Sequence, residues 1–249
     1  MSINTCECLS TFPITTVNYL ESLVYDNKFE VSGELNLVKS HDTIFNKYNK
    51  RCNCIKKIFY NVYNITTSNV SDGNSDNAKM VESRFNFHVH PESAYKMFNC
   101  ELGWPSKDDY ITFLQTFLKF DTAFHCVISV EGIYVISVNA NMVSTIYGLK
   151  EGDSRELFDK NVDKYINIDK TGYRSSEGYE MNGINIVDGH TYELAINNFA
   201  FPDTDDILPE LRNQKLFKLC FLSWDDLKNP DLDIGFCVTF PKVNNTCEI

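Results

Sequence analysis

Residues 85–110 carry the pattern that most constrains how this chain folds. The run FNFHVHP alternates as a strand does, and Pro91 ends the strand because proline cannot donate to the hydrogen-bond ladder. Further along, Ser106 stands three residues before Asp109 at the start of an apolar repeat with helical spacing, the pattern of a capping box. The segment therefore predicts a strand, a loop and a helix in that order.

Two of the chain's five histidines, His88 and His90, lie on this strand. Side chains two residues apart on a strand project from the same face, so both imidazoles can approach one point. Two imidazoles form half of a zinc site, and Asp109 on the first helical turn suits a third ligand. The fourth position would stay open for water, as in catalytic zinc sites. The alternative, histidines bonded only to neighbouring strands, stays open on this pattern alone.

A hydrolytic zinc site also needs a base, and an early strand, FEVSGELNL at residues 29–37, offers two glutamates. Glu30 is the better candidate, and Glu34 is its competitor. Both share one face of the strand unless Gly33 marks a bulge, so parity does not choose between them. A solvated strand carboxylate is the alternative for either residue.

The order of these residues resembles the JAMM motif of the MPN/JAB domain metalloproteases. EVSG at residues 30–33 resembles that family's Glu-x-x-Gly strand, and HVHP at 88–91 resembles its His-x-His-Pro. WPS at 104–106, with Asp109, resembles the closing Ser-x-x-Asp. The resemblance covers roughly residues 13–145.

The resemblance implies a zinc ion held by His88, His90 and Asp109, with Glu30 as general base and Ser106 stabilising the oxyanion. The implied activity is hydrolysis of peptide or isopeptide bonds, notably those that join ubiquitin-like proteins to lysine. The implied partner is therefore a protein substrate, such as a ubiquitin-like conjugate.

Two segments depart from the family pattern. The segment between Pro91 and Ser106 is longer than in typical members, and its residues 92–103 are expected to reshape or cover the cleft. The polar stretch near residues 66–80 lengthens the gap between Glu30 and the histidines. Both segments are expected where substrate approaches.

The expected fold class is α/β, an MPN (JAB)-like mixed β-sheet flanked by helices, with a C-terminal α+β elaboration. Residues 1–150 form the metallopeptidase domain in this interpretation, and residues 151–249, which show no chemical motif, pack on it. The patterns predict helices over 13–25, 106–120 and 153–165, strands over 29–37, 54–65 and 84–90, a hairpin over 124–139 and a surface loop over 66–79.

Composition limits the expected partners and compartment. A net charge of −11 without a Lys/Arg cluster argues against nucleic acid. No apolar run approaches the roughly 18 residues that cross a bilayer, and no secretory signal pattern opens the sequence, so a soluble cytoplasmic protein is expected. Nine cysteines without disulfide-like spacing fit a reducing compartment. Cys6, Cys8, Cys52 and Cys54 offer four thiolates to a structural zinc, at closer spacing than zinc ribbons use.

A second class of function stays open at this point. The chain could be an MPN-like structural component of a large assembly, such as a virus particle, with an idle metal site. An aromatic content of 13% could furnish such contacts.

Amidohydrolase barrels and PHP-type phosphoesterases also use His-x-His sites, but they need further histidines. Only His125 and His190 follow here, and His125 is expected to be a bonded core histidine.

Overall fold

The computed structural model describes residues 5–49, 54–73, 80–149, 162, 179–232 and 234–241. In these residues, eight strands form one mixed sheet with helices packed on both faces. This confirms the predicted mixed α/β class. The finer MPN (JAB)-like assignment stays a prediction.

The strands of the sheet, in chain order, are β1 (Thr5–Thr11), β2 (Val31–Asn49), β3 (Cys54–Asp72), β4 (Phe85–Val89), β5 (Phe124–Ile128), β6 (Gly132–Val138), β9 (Phe217–Ser223) and β10 (Gly235–Pro241). A separate two-stranded hairpin consists of β7 (Glu180–Met181) and β8 (Ile184–Asn185). The helices are α1 (Ile14–Asp26), α2 (Glu92–Phe98), α3 (Lys107–Phe120), α4 (Val143–Gly148), α5 (Gly189–Asn198) and α6 (Trp224–Lys228).

The strand order places β4 near the middle of the sheet. The order is β10-β1-β3-β2-β4-β5-β6-β9, with β4 antiparallel to β2 and parallel to β5. The C-terminal strands β9 and β10 occupy the two edges, so residues after 150 complete the sheet that the earlier residues begin. The division of the chain at residue 150 stays a prediction, since residues 150–161 lie outside the described part.

Two apolar cores lie on opposite faces of the sheet. One joins α1 and α6 to one face, where Val17, Leu20 and Val24 repeat at helical spacing and are fully buried. The other joins α3, α4 and α5 to the opposite face, through buried residues such as Phe113 and Tyr192. Side chains of β4 alternate between the two cores, and His88 points to the α3 side, beside its β5 neighbour Val127.

The prediction of a surface loop over 66–79 is wrong for residues 66–72, which continue β3 and pair with β2. Hydrogen bonds between polar side chains, rather than apolar alternation, accompany this pairing. Asn36 Nδ2 donates to Ser68 Oγ at 2.7 Å, and Asn69 Nδ2 donates to a Glu34 carboxylate oxygen at 2.7 Å. Asn69 has a left-handed backbone at φ 50°, which asparagine tolerates, and it lies at a register shift opposite Gly33. Residues 74–79 lie outside the described part.

Other predicted elements have mixed outcomes. The helices over 13–25 and 106–120, the strand over 84–90 and the hairpin over 124–139 are confirmed to within two residues at the ends. The strand predicted over 29–37 is correct but too short, since β2 continues to Asn49. The helix over 153–165 lies outside the described residues except for residue 162. The proposed cysteine zinc site also lies outside them, since Cys52 and the side chains of Cys6, Cys8 and Cys54 are not described.

The segment 92–103, for which only a loop was predicted, contains the helix α2. The helix ends at Asn99, whose left-handed backbone at φ 53° lets its N–H bond to the Tyr95 carbonyl.

Among the described residues, no helix combines the length and the apolar character that crossing a bilayer requires.

Candidate metal centre

Strand β4 presents the two histidines beside β2 and β5. His88 is opposite Ser32 of β2, and the backbone N–H of His90 donates to the Ile128 carbonyl at 2.8 Å, just beyond the strand. Both imidazoles therefore lie at the end of a central strand, on the face that α3 covers. The structure places them together, as the two-residue spacing predicts.

The carboxylate of Asp109 reaches the same place from the first turn of α3. Ser106 is the N-cap: its Oγ accepts from the Asp109 N–H at 3.3 Å, and Asp109 Oδ2 accepts from the Ser106 N–H at 2.6 Å. This reciprocal pair confirms the predicted capping box, which leaves Asp109 Oδ1 directed toward the histidines. The oxyanion role of Ser106 is not tested by this contact and stays a prediction.

Three side-chain atoms converge between β4 and α3. His88 Nε2 lies 2.9 Å from His90 Nε2 and 3.2 Å from Asp109 Oδ1, and His90 Nε2 lies 3.7 Å from Asp109 Oδ2. One ligand atom from each residue lies within 4.8 Å of the other two. His88 is 6% exposed at its side chain, against 16% for His90 and 14% for Asp109, so the cluster is enclosed on the His88 side and more open on the other.

A backbone carbonyl fixes the proton on His90. The Nδ1 atom of His90 lies 2.9 Å from the Gly103 carbonyl oxygen, which can only accept a hydrogen bond. Nδ1 therefore carries the hydrogen, and in the neutral ring Nε2 holds a lone pair directed at the cluster.

A chain of three side chains fixes the proton on His88. The Asn86 amide nitrogen donates to the Val81 carbonyl at 2.7 Å, so Asn86 Oδ1 is the acceptor for His125 Nδ1 at 2.6 Å. His125 Nε2 must then accept from His88 Nδ1, 2.7 Å away, which leaves a lone pair on His88 Nε2. The cluster thus joins three acceptors, two nitrogen lone pairs and a carboxylate oxygen.

Burial favours the neutral form of both inner histidines. Burial lowers the pKa of His88, and the negative charges of Asp109 and, less strongly, Glu30 oppose this effect. Burial, together with the neighbouring histidines, lowers the pKa of His125 well below 6.5. Neutral rings are the form in which histidine binds a metal.

The two candidate bases have different surroundings. Glu30 is half-buried just before β2, near enough for its charge to raise the pKa of His88. Glu34 lies opposite Asn86, on the same face as Ser32, but its carboxylate accepts hydrogen bonds from Ser68 and Asn69 of β3. Parity could not distinguish the two glutamates, but the structure shows that the Glu34 carboxylate is held by β3.

Several supporting residues were not recognised from the sequence. His125 was expected to be a bonded core histidine, which is confirmed, but its contact with His88 was not foreseen. Asn86, Gly103 and Glu131 were not considered as parts of the site. Asn86 reaches His88 through His125, and the Gly103 carbonyl bonds directly to His90. Glu131 in turn bonds to the Gly103 N–H.

The C-terminal region holds the segment that leads into α3. Tyr192 of α5 donates to the Pro105 carbonyl at 2.9 Å, and its ring stacks on Trp104 with centroids 5.1 Å apart. The hydroxyl of Tyr192 also lies 3.1 Å from that of Tyr110. This region, whose sequence shows no chemical motif, therefore helps to set the position of the α3 N-terminus.

Comparisons with known proteins leave the family undecided. A scan against models of protein families finds no match for this chain. Searches of curated proteins and of solved structures find no similar protein either. The resemblance to the JAMM motif therefore rests on the residues and geometry given above.

Proposed function

We propose that this chain is a zinc-dependent hydrolase of JAMM type that cleaves peptide or isopeptide bonds, with ubiquitin-like conjugates as the expected substrate class. One observation carries the proposal. Two imidazole lone pairs and a carboxylate oxygen converge within 4.8 Å. The Gly103 carbonyl fixes the proton on the outer side of the His90 ring, and the chain from Val81 through Asn86 and His125 does the same for His88. Such a set of acceptors repels itself unless a cation, either a metal ion or a proton, lies between them.

The donor set fits zinc. Two imidazoles and one carboxylate are ligands of catalytic zinc sites, where the fourth position is left to water or substrate. The contact behind His90 also fits, since metal-binding histidines usually donate their other ring N–H to a carbonyl or a carboxylate. His88 donates its other N–H to the His125 imidazole instead. A zinc ion bound here would polarise the scissile carbonyl and lower the pKa of a water molecule.

The chain's own residues would handle the proton. Glu30 would accept the proton of the attacking water and return it to the leaving amine, because it lies near enough to His88 for its charge to act on that ring, whereas the Glu34 carboxylate is bound by Ser68 and Asn69. Ser106 Oγ accepts the Asp109 N–H and keeps its own hydroxyl hydrogen, which could donate to the developing oxyanion.

The test combines metal analysis with turnover of an isopeptide-linked ubiquitin-like conjugate. Purified wild-type protein is expected to hold one zinc per chain and to cleave the conjugate, and chelation should stop cleavage. Glu30→Gln should keep zinc and lose turnover, whereas the matched Glu34→Gln should keep both. Asp109→Ala should lose zinc.

The opposite results are equally informative. Protein purified without chelator that holds no zinc and cannot be loaded with zinc would refute the metal centre. Stoichiometric zinc with no cleavage of any conjugate would refute the hydrolase and leave the structural alternative, an MPN-like component of an assembly. Loss of turnover in Glu34→Gln but not in Glu30→Gln would exchange the roles of the two glutamates.

A further inference from the structure

We propose that Glu131 is a positioning residue for the metal centre, which holds the His90 imidazole in its ligand orientation through Gly103. Glu131 lies in the turn between β5 and β6, and the proposed function assigns it no role. The inference rests on the proposed function in so far as it concerns zinc, but its structural half concerns the metal-free protein.

The carboxylate of Glu131 accepts hydrogen bonds from three donors. Oε1 accepts from the Gly103 N–H at 2.8 Å and from the Tyr134 hydroxyl at 2.8 Å, and Oε2 accepts from the Tyr95 hydroxyl at 2.9 Å. Burial, and then the charge of Glu131, raise the pKa of both tyrosines well above 10, so both hydroxyls stay protonated and donate. Hydrogen bonds to an ionised acceptor are stronger than neutral ones, so this turn is a firm anchor.

Gly103 connects this anchor to the metal centre. Its N–H is bound by Glu131, and its carbonyl accepts from His90 Nδ1 at 2.9 Å. A shift of Gly103 would therefore move the acceptor that fixes the proton and the tilt of the His90 ring.

Close packing leaves Gly103 little freedom. A Cβ atom at Gly103 would overlap Tyr95 Oη, so the backbone passes directly against the hydroxyl that Glu131 binds. Tyr95 is 8% exposed, and its hydroxyl also accepts from the Val130 N–H at 3.3 Å. Segment 92–103 is thus attached to the β5–β6 turn on the side nearest His90.

A purely structural role for Glu131 would hold the segment without affecting His90. The two roles differ in a measurable way, because only positioning predicts a change at the His90 ring. The variants are Glu131→Ala, the conservative Glu131→Gln, and the control Glu92→Ala. Glu92 lies on the same segment, and its carboxylate accepts from the exposed Lys96.

The first measurement is the imidazole tautomer in metal-free protein, from long-range ¹H–¹⁵N NMR correlations. Wild type and Glu92→Ala are expected to show His90 with the hydrogen on Nδ1 alone. Glu131→Ala should show a mixture of tautomers. Glu131→Gln keeps an oxygen for the Gly103 N–H and should stay close to wild type. This result does not depend on zinc binding, so it can be read even if the proposed function fails.

The second measurement is a zinc titration of the same proteins. Glu131→Ala is expected to bind zinc about 10-fold more weakly, the lower end of the effect of removing a direct partner of a metal ligand, because Glu131 acts one contact further out through Gly103. Glu131→Gln should lose less, and Glu92→Ala should match wild type.

A single His90 tautomer and unchanged zinc affinity in Glu131→Ala would overturn the inference. If Glu131→Ala does not fold, Glu131→Asp decides, because its shorter side chain withdraws the carboxylate from the Gly103 N–H; a tautomer mixture with weakened zinc binding there supports positioning, and wild-type readings overturn it. Wild-type protein that binds no zinc would refute the proposed function instead.

Discussion

Replacing His125 with leucine tests whether the inner chain of hydrogen bonds is built as the structure indicates. His125 is fully buried, receives the His88 Nδ1–H at 2.7 Å and donates to Asn86 Oδ1 at 2.6 Å. Leucine fills similar space but leaves one buried donor and one buried acceptor unpaired. Each unpaired group costs about 1–3 kcal/mol, so His125→Leu should lower the free energy of unfolding by about 2–6 kcal/mol.

This loss is a large part of the roughly 5–15 kcal/mol that stabilises a typical domain, so the variant should fold but unfold at much lower denaturant. The assay is urea unfolding with chelator present, followed by tryptophan fluorescence. His41→Leu makes the same replacement at an exposed histidine and should change stability by less than about 0.5 kcal/mol. Equal stability of the two variants would refute the assigned hydrogen bonds. So would a His88 ring that keeps its hydrogen on Nδ1 alone in His125→Leu.

Three further predictions concern other positions. Gly103→Ala should destabilise the protein by about 1–3 kcal/mol because the new Cβ meets Tyr95. Gly148→Ala, whose Cβ meets nothing within 4 Å, should not destabilise it. Thermal unfolding with chelator compares the two variants, and equal midpoints would contradict the packing at Gly103. Ser106→Ala and Ser223→Ala should each cost about 1 kcal/mol as lost helix caps. Only Ser106→Ala should also slow conjugate cleavage, and equal slowing by both would refute a catalytic role. Burial raises the pKa of the Cys126 thiol well above 9, so iodoacetamide at pH 8 should label it only in denaturant; native labelling, read by mass spectrometry, would contradict this burial.

The sequence predicts elements whose signals are local. Val17, Leu20 and Val24 mark α1 by their spacing, and Ser106 with Asp109 marks the start of α3 by its capping pattern. The same local signals place the ligand atoms, because strand parity sets the two imidazoles and the cap sets the carboxylate.

The supporting residues depend on strand neighbours that no local pattern encodes. His125 reaches His88 only because β5 lies parallel to β4 with His125 opposite Asn86. Glu131 reaches Gly103 only because segment 92–103 folds back against the β5–β6 turn. Residues 66–72 were misread because polar side chains bond across strands there, and polarity alone predicts a loop.

The most direct test of the central claim is an anomalous difference map, measured at the zinc absorption edge, from crystals of the protein grown with zinc. The account predicts one strong peak between His88 Nε2, His90 Nε2 and Asp109 Oδ1. It also predicts that the hydrogen-bond distances from His90 to Gly103 and from His88 to His125 are retained. A map with no peak among these three atoms, or with the two rings turned so that other atoms face each other, would contradict it.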